Sequence, residues 1–358
     1  MNKKITFLSL RCLFVLACTQ ALNAQQIYTN GSLSTGATSN SGVAAPAGYT
    51  WSEVQNITGN TTESNTNAGF GAVFNTAGTN NLQLADDFTV PAGQIWNVSS
   101  VEVYAYQTAT TAVGLPQDIL RIQIFNSDPS VPGAVSVAGN MTTNVLDVAN
   151  SSDALMYRIF NSAVPAALAT GTTRKIWKLR GNITATLPAG TYWIVYQIHP
   201  INETLGSFLP PVTIPGSRGL ATWNAKQNTI ASTTVTPPPV LGWANIFDTG
   251  NPATAPDFPQ DMPFNINGTV TLGVNENAFE ASISLSPNPV KNIISISVPT
   301  ETIVNSYEIF DVSGKVVKVM NSNTSTISEI NVSELSVGNY ILRLNSDKGS
   351  ASKKFIKE

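Results

Sequence analysis

Val101-Glu102-Val103-Tyr104-Ala105-Tyr106 and, a little further on, Leu120-Arg121-Ile122-Gln123-Ile124 place apolar and polar side chains at alternate positions. A period of two marks a strand with one packed face and one wet face. Working outward, strand-length runs rich in β-branched and aromatic residues recur at Leu84 to Val90, Ile95 to Gln107, Ile119 to Phe125, Arg174 to Leu179, Tyr192 to Ile198 and Phe264 to Val270. Turn residues separate these runs, as in a sandwich or jelly roll. Helical periodicity is nearly absent, and Ser152 to Phe160, the one arguable helix, is short and carries Tyr157, Ile159 and Phe160, which favour a strand. The reading is therefore all-β, with a jelly-roll-like β-sandwich over residues 25–272. Its first part, residues 25–80, is rich in Asn, Thr, Ser and Gly, so irregular edge strands and long loops are expected there. Trp51, Val54, Phe70, Val73 and Phe74 supply aromatic and apolar anchors that a disordered linker lacks.

One short motif recurs as Pro46-Ala47-Gly48-Tyr49-Thr50-Trp51, Pro91-Ala92-Gly93-Gln94-Ile95-Trp96 and Pro188-Ala189-Gly190-Thr191-Tyr192-Trp193. Proline presets φ early in a turn and glycine accepts a left-handed backbone after it. Each copy thus predicts a turn that launches a strand, with its tryptophan in core or rim packing. Trp223 and Trp243, in Pro- and Gly-rich sequence, are the better candidates for an exposed aromatic platform under a sugar ring. The copies are irregularly spaced, which excludes a solenoid or propeller.

Charged residues make up 11% of the chain, against about 25% in a typical soluble domain. Between residues 25 and 282 eight basic residues face fifteen acidic ones. A nucleic-acid partner needs a concentrated basic surface, so that class is excluded. The local run Arg174-Lys175-Ile176-Trp177-Lys178-Leu179-Arg180 alternates and reads as one wet strand face.

Lys3 and Lys4 precede an apolar run from Ile5 to Cys18, and Ala21 and Ala24 follow, which is the pattern of a signal peptide over residues 1–24. The run is shorter than the roughly 20 residues that a spanning helix needs, so no transmembrane segment is expected after its removal. Lipid attachment at Cys18 is the rival reading, and the bulky Leu16 is a poor match to it. Cys12 and Cys18 are the only cysteines. A chain cleaved after Ala24 has no thiol, hence no disulfide, cysteine nucleophile or cysteine-ligated zinc.

The chemical inventory of the middle region is small. His199, the only histidine, sits at a strand end in Ile198-His199-Pro200 and reads as a surface-loop residue, with no nucleophile elbow to accompany it. No cofactor is expected. Oxygen-only ligands suit calcium, and a structural calcium on Asp86, Asp87 and Asp261 becomes feasible if the first and last long strands lie side by side. Asp86 and Asp87 are adjacent and so point to opposite faces; Asp257 and Asp261 are further carboxylates that a glycosidase pair would need.

After Gly268-Thr269-Val270-Thr271-Leu272-Gly273 the pattern changes, and residues 273–282 read as a linker. Beyond it come Leu285-Ser286-Pro287-Asn288-Pro289-Val290, the glycine turn Asp311-Val312-Ser313-Gly314-Lys315, the strand Gly338-Asn339-Tyr340-Ile341-Leu342-Arg343-Leu344 and the basic end Lys353-Lys354-Phe355-Ile356-Lys357. Alternating strands and a glycine hairpin predict a compact Ig-like sandwich of about seven strands over residues 283–358.

In order and spacing these motifs resemble the type A C-terminal sorting domain of type IX secretion cargo, although Ser286 stands where an aromatic commonly precedes the Pro-Asn-Pro. The resemblance makes Pro287, Asn288, Pro289, Gly314, Gly338, Tyr340, Lys353 and Lys354 the sorting signal. It implies an outer-membrane translocon and a C-terminal signal peptidase or sortase as partners, with removal of the domain near residues 270–282. The product would be secreted, or attached to the outer cell surface, after passage through the periplasm. The middle region, in Leu84-Ala85-Asp86-Asp87-Phe88, Ile122 to Pro129, Arg174 to Leu179, Leu187 to Gln197 and Gln260-Asp261-Met262-Pro263-Phe264, resembles a β-sandwich region of other exported bacterial proteins. That likeness brings no settled activity.

The function expected is an exported surface or released binding or adhesion protein, with extracellular polysaccharide as its ligand. A secreted polysaccharide hydrolase using paired carboxylates and a passive surface structural protein are the alternatives. One histidine and no thiol argue for binding over catalysis.

Overall fold

The computed structural model describes residues 25–109, 113–164, 168–233, 241–272, 278–300, 302–321, 327–347 and 349–358. The expected signal peptide and residues 273–277 of the expected linker lie outside these. The chain divides into two compact units, one ending at Leu272 and one beginning at Gly273.

The first unit holds β1 (Gln25–Asn30), β2 (Thr50–Glu53), β3 (Ser64–Asn65), β4 (Asn80–Gln107), β5 (Gln117–Phe125), β6 (Ser136–Asn140), β7 (Ser152–Ile159), β8 (Lys175–Pro200), β9 (Ser207–Phe208), β10 (Lys226–Ser232), β11 (Gly242–Asn245), β12 (Gly250–Asn251) and β13 (Phe264–Leu272). The main sheet runs β1-β13-β4-β8-β5-β6, with β2, β7, β9, β10 and β11 branching from it. Its backbone is the antiparallel pair β4 and β8, in register from Leu84 opposite Tyr196 to Tyr106 opposite Ile176.

Alternation decides what these strands bury. Leu84, Phe88, Val101 and Val103 of β4 pack with Leu120, Ile122 and Ile124 of β5, Tyr196 and Ile198 of β8, and Phe264 and Ile266 of β13. Burying each such side chain stabilises the fold by about 1.5–3 kcal/mol. The segment from Ser152 is a strand as the aromatics predicted, and it pairs in parallel with β2.

The recurring Pro-Ala-Gly motif behaves differently from expectation in two of its copies. Pro91 and Pro188 do not launch new strands; they interrupt β4 and β8 from within. Val90 pairs with Gly190 and the next pair is Ile95 with Pro188, so each turn is an irregularity that one long strand absorbs. A proline has no N–H for the ladder, and a bulge is where a sheet tolerates it. The motif tryptophans Trp51, Trp96 and Trp193 are all buried, as core packing required.

The second unit holds a short helix α1 (Ala278–Ser282) and seven strands: β14 (Ser284–Ser286), β15 (Ile293–Ser297), β16 (Val304–Asp311), β17 (Val316–Asn321), β18 (Glu329–Asn331), β19 (Gly338–Ser346) and β20 (Gly349–Lys357). They form a three-stranded sheet, β14-β15-β18, and a four-stranded sheet, β17-β16-β19-β20. Ile294, Ile309, Leu342, Leu344 and Phe355 meet in its own core.

Candidate functional site

A recess of about 470 Å³ opens where the start of β4, strand β10, the loop of residues 71–75 and the segment from Pro200 to Phe208 come together. That volume suits a small ligand. Its lining mixes apolar walls, Val73, Leu82 and Phe208, with the neutral hydrogen-bonding side chains of Asn75, Asn80, Gln227 and Thr229. Gln227 is held by its own amide, which donates to Gly71 O at 2.7 Å, and the Asn75 side-chain oxygen accepts from Asn80 N at 3.0 Å. Asn80 Oδ1 is buried and has no hydrogen-bond partner, so an acceptor at the recess wall is left unsatisfied, a state that costs about 1–3 kcal/mol.

Glu203 is the one carboxylate among the described lining residues. Its Oε1 accepts from Thr76 N at 2.9 Å and meets His199 Nε2 at 2.9 Å, while His199 Nδ1 meets Asp118 Oδ1 at 2.6 Å. His199 therefore does not sit on a surface loop as expected: it ends β8 and is only 8% exposed. The correction has a simple cause, since a ring bridging two carboxylates must lie between the segments that carry them. Burial pulls the His199 pKa down, but the bonds to Asp118 and Glu203 outweigh it and leave it above the ordinary value. Both ring nitrogens face carboxylate oxygens, so the imidazolium is the form that satisfies both.

The acidic candidates fall elsewhere. Asp86 is fully buried and accepts from Asn30 Nδ2 at 2.9 Å, Met262 N at 2.6 Å and Asp87 N at 2.8 Å. Asp261 accepts from Asn224 N at 2.8 Å. Burial and then the neighbouring Asp261 charge push Asp86 well above the usual range, and burial and then the Asp87 charge lift Asp261 to about 6. Asp87, half-buried, points away from Asp86 as adjacent strand residues do. Asp257 accepts from Gly250 N. Among the described residues, no group of three or more His, Cys, Asp and Glu is disposed to hold a metal ion.

The two tryptophans singled out for a platform do not come together. Trp243, on β11 opposite Asn228, leans on a small outer cluster with Trp193, Phe125 and Met141. Trp223 lies in the loop before β10, half-buried, its backbone N–H donating to Leu220 O. The recess residues themselves escaped sequence reading. Glu203 follows His199 by four residues, and that spacing is the local signal for it.

In the second unit the sorting residues are structurally linked. Asn288, between Pro287 and Pro289, spans to β20: its Nδ2 donates to Lys354 O at 3.3 Å and its Oδ1 accepts from Ile356 N at 2.9 Å. Gly314 takes φ +82° in the β16–β17 turn, where its N–H donates to Asp311 O at 3.0 Å. Gly338 opens β19, and two residues on Tyr340 stacks on Phe355 at 5.5 Å and donates to Ser336 O at 2.8 Å. Lys353 and Lys354 lie on β20, the second exposed to solvent.

Residues 284–358 match the family described as the secretion system C-terminal sorting domain. The second unit is thus a type IX secretion sorting domain, and the chain that carries it is exported to the outer surface or released. No curated protein matches the chain. Among solved structures it is similar to PorZ, a bacterial surface component of the type IX secretion system of Porphyromonas gingivalis, at 15% identity and TM-score 0.18, covering 38% of this chain and 20% of that one. It is also similar to the adhesin domain of Epf from Streptococcus pyogenes, at 8% identity and TM-score 0.17, covering 76% of this chain and 71% of that one. Among the described residues no helix is long and apolar enough to cross a membrane, which leaves β-barrel spans unaddressed.

Proposed function

We propose that the exported protein is a binding module whose first unit holds a hydroxyl-rich ligand, an extracellular saccharide, in the recess between β4, β10 and the segment from Pro200 to Phe208. The observation that carries this reading is the lining: neutral amide and hydroxyl groups around an apolar floor, with a buried acceptor, Asn80 Oδ1, left unpaired. Sugars present many hydroxyls that both donate and accept, and such a wall answers them without charge. Among the described residues a single carboxylate lines the recess, whereas glycoside hydrolysis by paired carboxylates uses two; this favours retention over cleavage. Handling of the second unit by a translocon and a C-terminal peptidase or sortase completes the proposal.

The test is to pass the secreted protein over immobilised polysaccharides, scoring both retention and release of reducing ends. Retention without release is expected. Hydrolysis would replace the binding reading with the enzymatic one, and no retention on any glycan would leave a passive structural role. For the route, a chain lacking residues 283–358 is expected to accumulate in the periplasm, and normal secretion of that chain would contradict the assigned partners.

A further inference from the structure

A second, smaller recess of about 180 Å³ adjoins the first, and Phe208 lines both. The partition between them is built from β9 and the end of β4. Thr108, on the second recess, bonds the carbonyl of Gly206, on the first, at 2.8 Å through its N–H and at 3.1 Å through its hydroxyl. Gly206 lies directly against the Phe208 ring, so a Cβ there would come to 2.6 Å from it.

The second recess has the opposite electrostatic character. Among the described residues its only charged lining group is Arg174, whose guanidinium sits 4.8 Å over the Phe160 ring. Among the described residues that guanidinium has neither a hydrogen bond nor an ion pair to a side chain, and it is half-buried. Its five N–H donors in a planar fork match a carboxylate or sulfate, and stacking on an aromatic ring fixes its plane. Thr66, Asn67 and Thr108 add neutral hydrogen-bonding side chains around it. A cation held this way, next to a recess with one carboxylate and no cation, distinguishes two positions along one ligand.

We infer that the ligand is an acidic glycan that crosses Phe208, with a neutral sugar unit in the recess of Gln227 and Glu203 and a unit bearing a carboxylate or sulfate against Arg174. The inference rests on the binding reading above and adds the ligand's charge and direction. Glu203 repels an anionic unit placed on its own side, so the polarity of the bound chain is set by the two recesses together.

Calorimetric titration of the full secreted protein tests this with three oligosaccharide probes of equal length: neutral, uronate-containing and sulfated. The wild type is expected to bind one of the acidic probes at least about tenfold more tightly than the neutral one, a gap that narrows as salt is raised. Arg174→Gln is expected to remove most of that gap, with the uronate and sulfate arms deciding which anion is preferred. Thr204→Trp, at an exposed position on the first recess, is expected to weaken all three probes. Equal affinity of wild type for neutral and acidic probes, or an Arg174→Gln protein that keeps the preference, overturns the acidic-glycan inference while leaving the binding reading intact. Absence of binding to every probe overturns both.

Discussion

The carboxylate of Asp86 on β4 accepts the backbone N–H of Met262 at 2.6 Å, two residues before β13 begins. This bond ties the entry of the last strand of the first unit to the first long one. Asn30, at the end of β1, joins it by donating to Asp86 at 2.9 Å and to the Met262 carbonyl at 2.9 Å. The sequence suggested that Asp86 and the region of Asp261 would meet if the first and last long strands were neighbours, and β4 and β13 are paired from Val103 opposite Phe264 to Gln94 opposite Leu272.

Asp86→Ala removes an acceptor shared by three N–H groups in a buried place. The orphaned donors cost about 1–3 kcal/mol each when buried, and partial relaxation brings the expected loss to about 3–5 kcal/mol. For a domain of this size thermal unfolding is expected to fall by roughly 10 °C. A melting curve within about 2 °C of wild type would show that the junction contributes little.

The Asp86–Asp261 pair also gives stability a direction with pH. Both carboxyls have folded pKa values raised above their ordinary ones, Asp261 to about 6. A group with a raised folded pKa contributes stability that is fully present below its unfolded pKa and is lost as pH rises through the folded value. Their contribution should therefore decline between about pH 4 and 6 for Asp261, and decline likewise from about pH 4 upward for Asp86. Thermal melts across that range, repeated with Asp261→Asn, are expected to show a shallower decline in the variant. An unchanged slope would remove Asp261 from the account.

His199 can be followed alone, because the chain has one histidine. Its pKa is raised, so its titration by NMR should centre above the usual 6.5 or so. The linked stability is fully present below that ordinary value and is lost as pH rises through the folded one. Replacing Asp118 by Asn should lower the midpoint. A wild-type midpoint below the ordinary value would contradict the paired imidazolium.

Gly268 offers a test of the sheet. A Cβ on it would stand 2.2 Å from Asn97 O and 3.0 Å from Val98 Cα, both backbone atoms of β4. Backbone cannot swing aside as a side chain can, and a register shift already lies between Asn267 and Gly268. Gly268→Ala is expected to destabilise by about 2 kcal/mol or more, read as a denaturation midpoint. A neutral effect would mean that the two strands separate freely there.

What was legible in the sequence was whatever depends on local pattern. Alternation in Val101 to Tyr106 and in Leu120 to Ile124 gave β4 and β5, and the aromatics of Ser152 to Phe160 gave β7. The glycine turn at Gly314 and the Pro-Asn-Pro run gave the second unit. Hidden features depended on contacts across long separations. Nothing near Pro91 says that the chain resumes the same strand after its turn, because the matching turn at Pro188 lies on the partner strand. Likewise Gln227, Asn80 and Glu203 share one recess only after β10 pairs with the start of β4, and no local signal links them. His199 looked like a loop residue because Asp118, its nearer partner, is far away in sequence.

The central claim is that the recess beside β10 is a saccharide site, and replacing a lining side chain tests it most directly. Calorimetric affinity for the best-retained glycan should be compared between wild type and Gln227→Ala, with melting temperatures measured alongside. At least a tenfold loss of affinity is expected, with a melting temperature within a few degrees of wild type, since the Gln227 side-chain amide donates to Gly71 O alone among the described residues. Unchanged affinity in the variant would place the saccharide elsewhere on the molecule and contradict that claim.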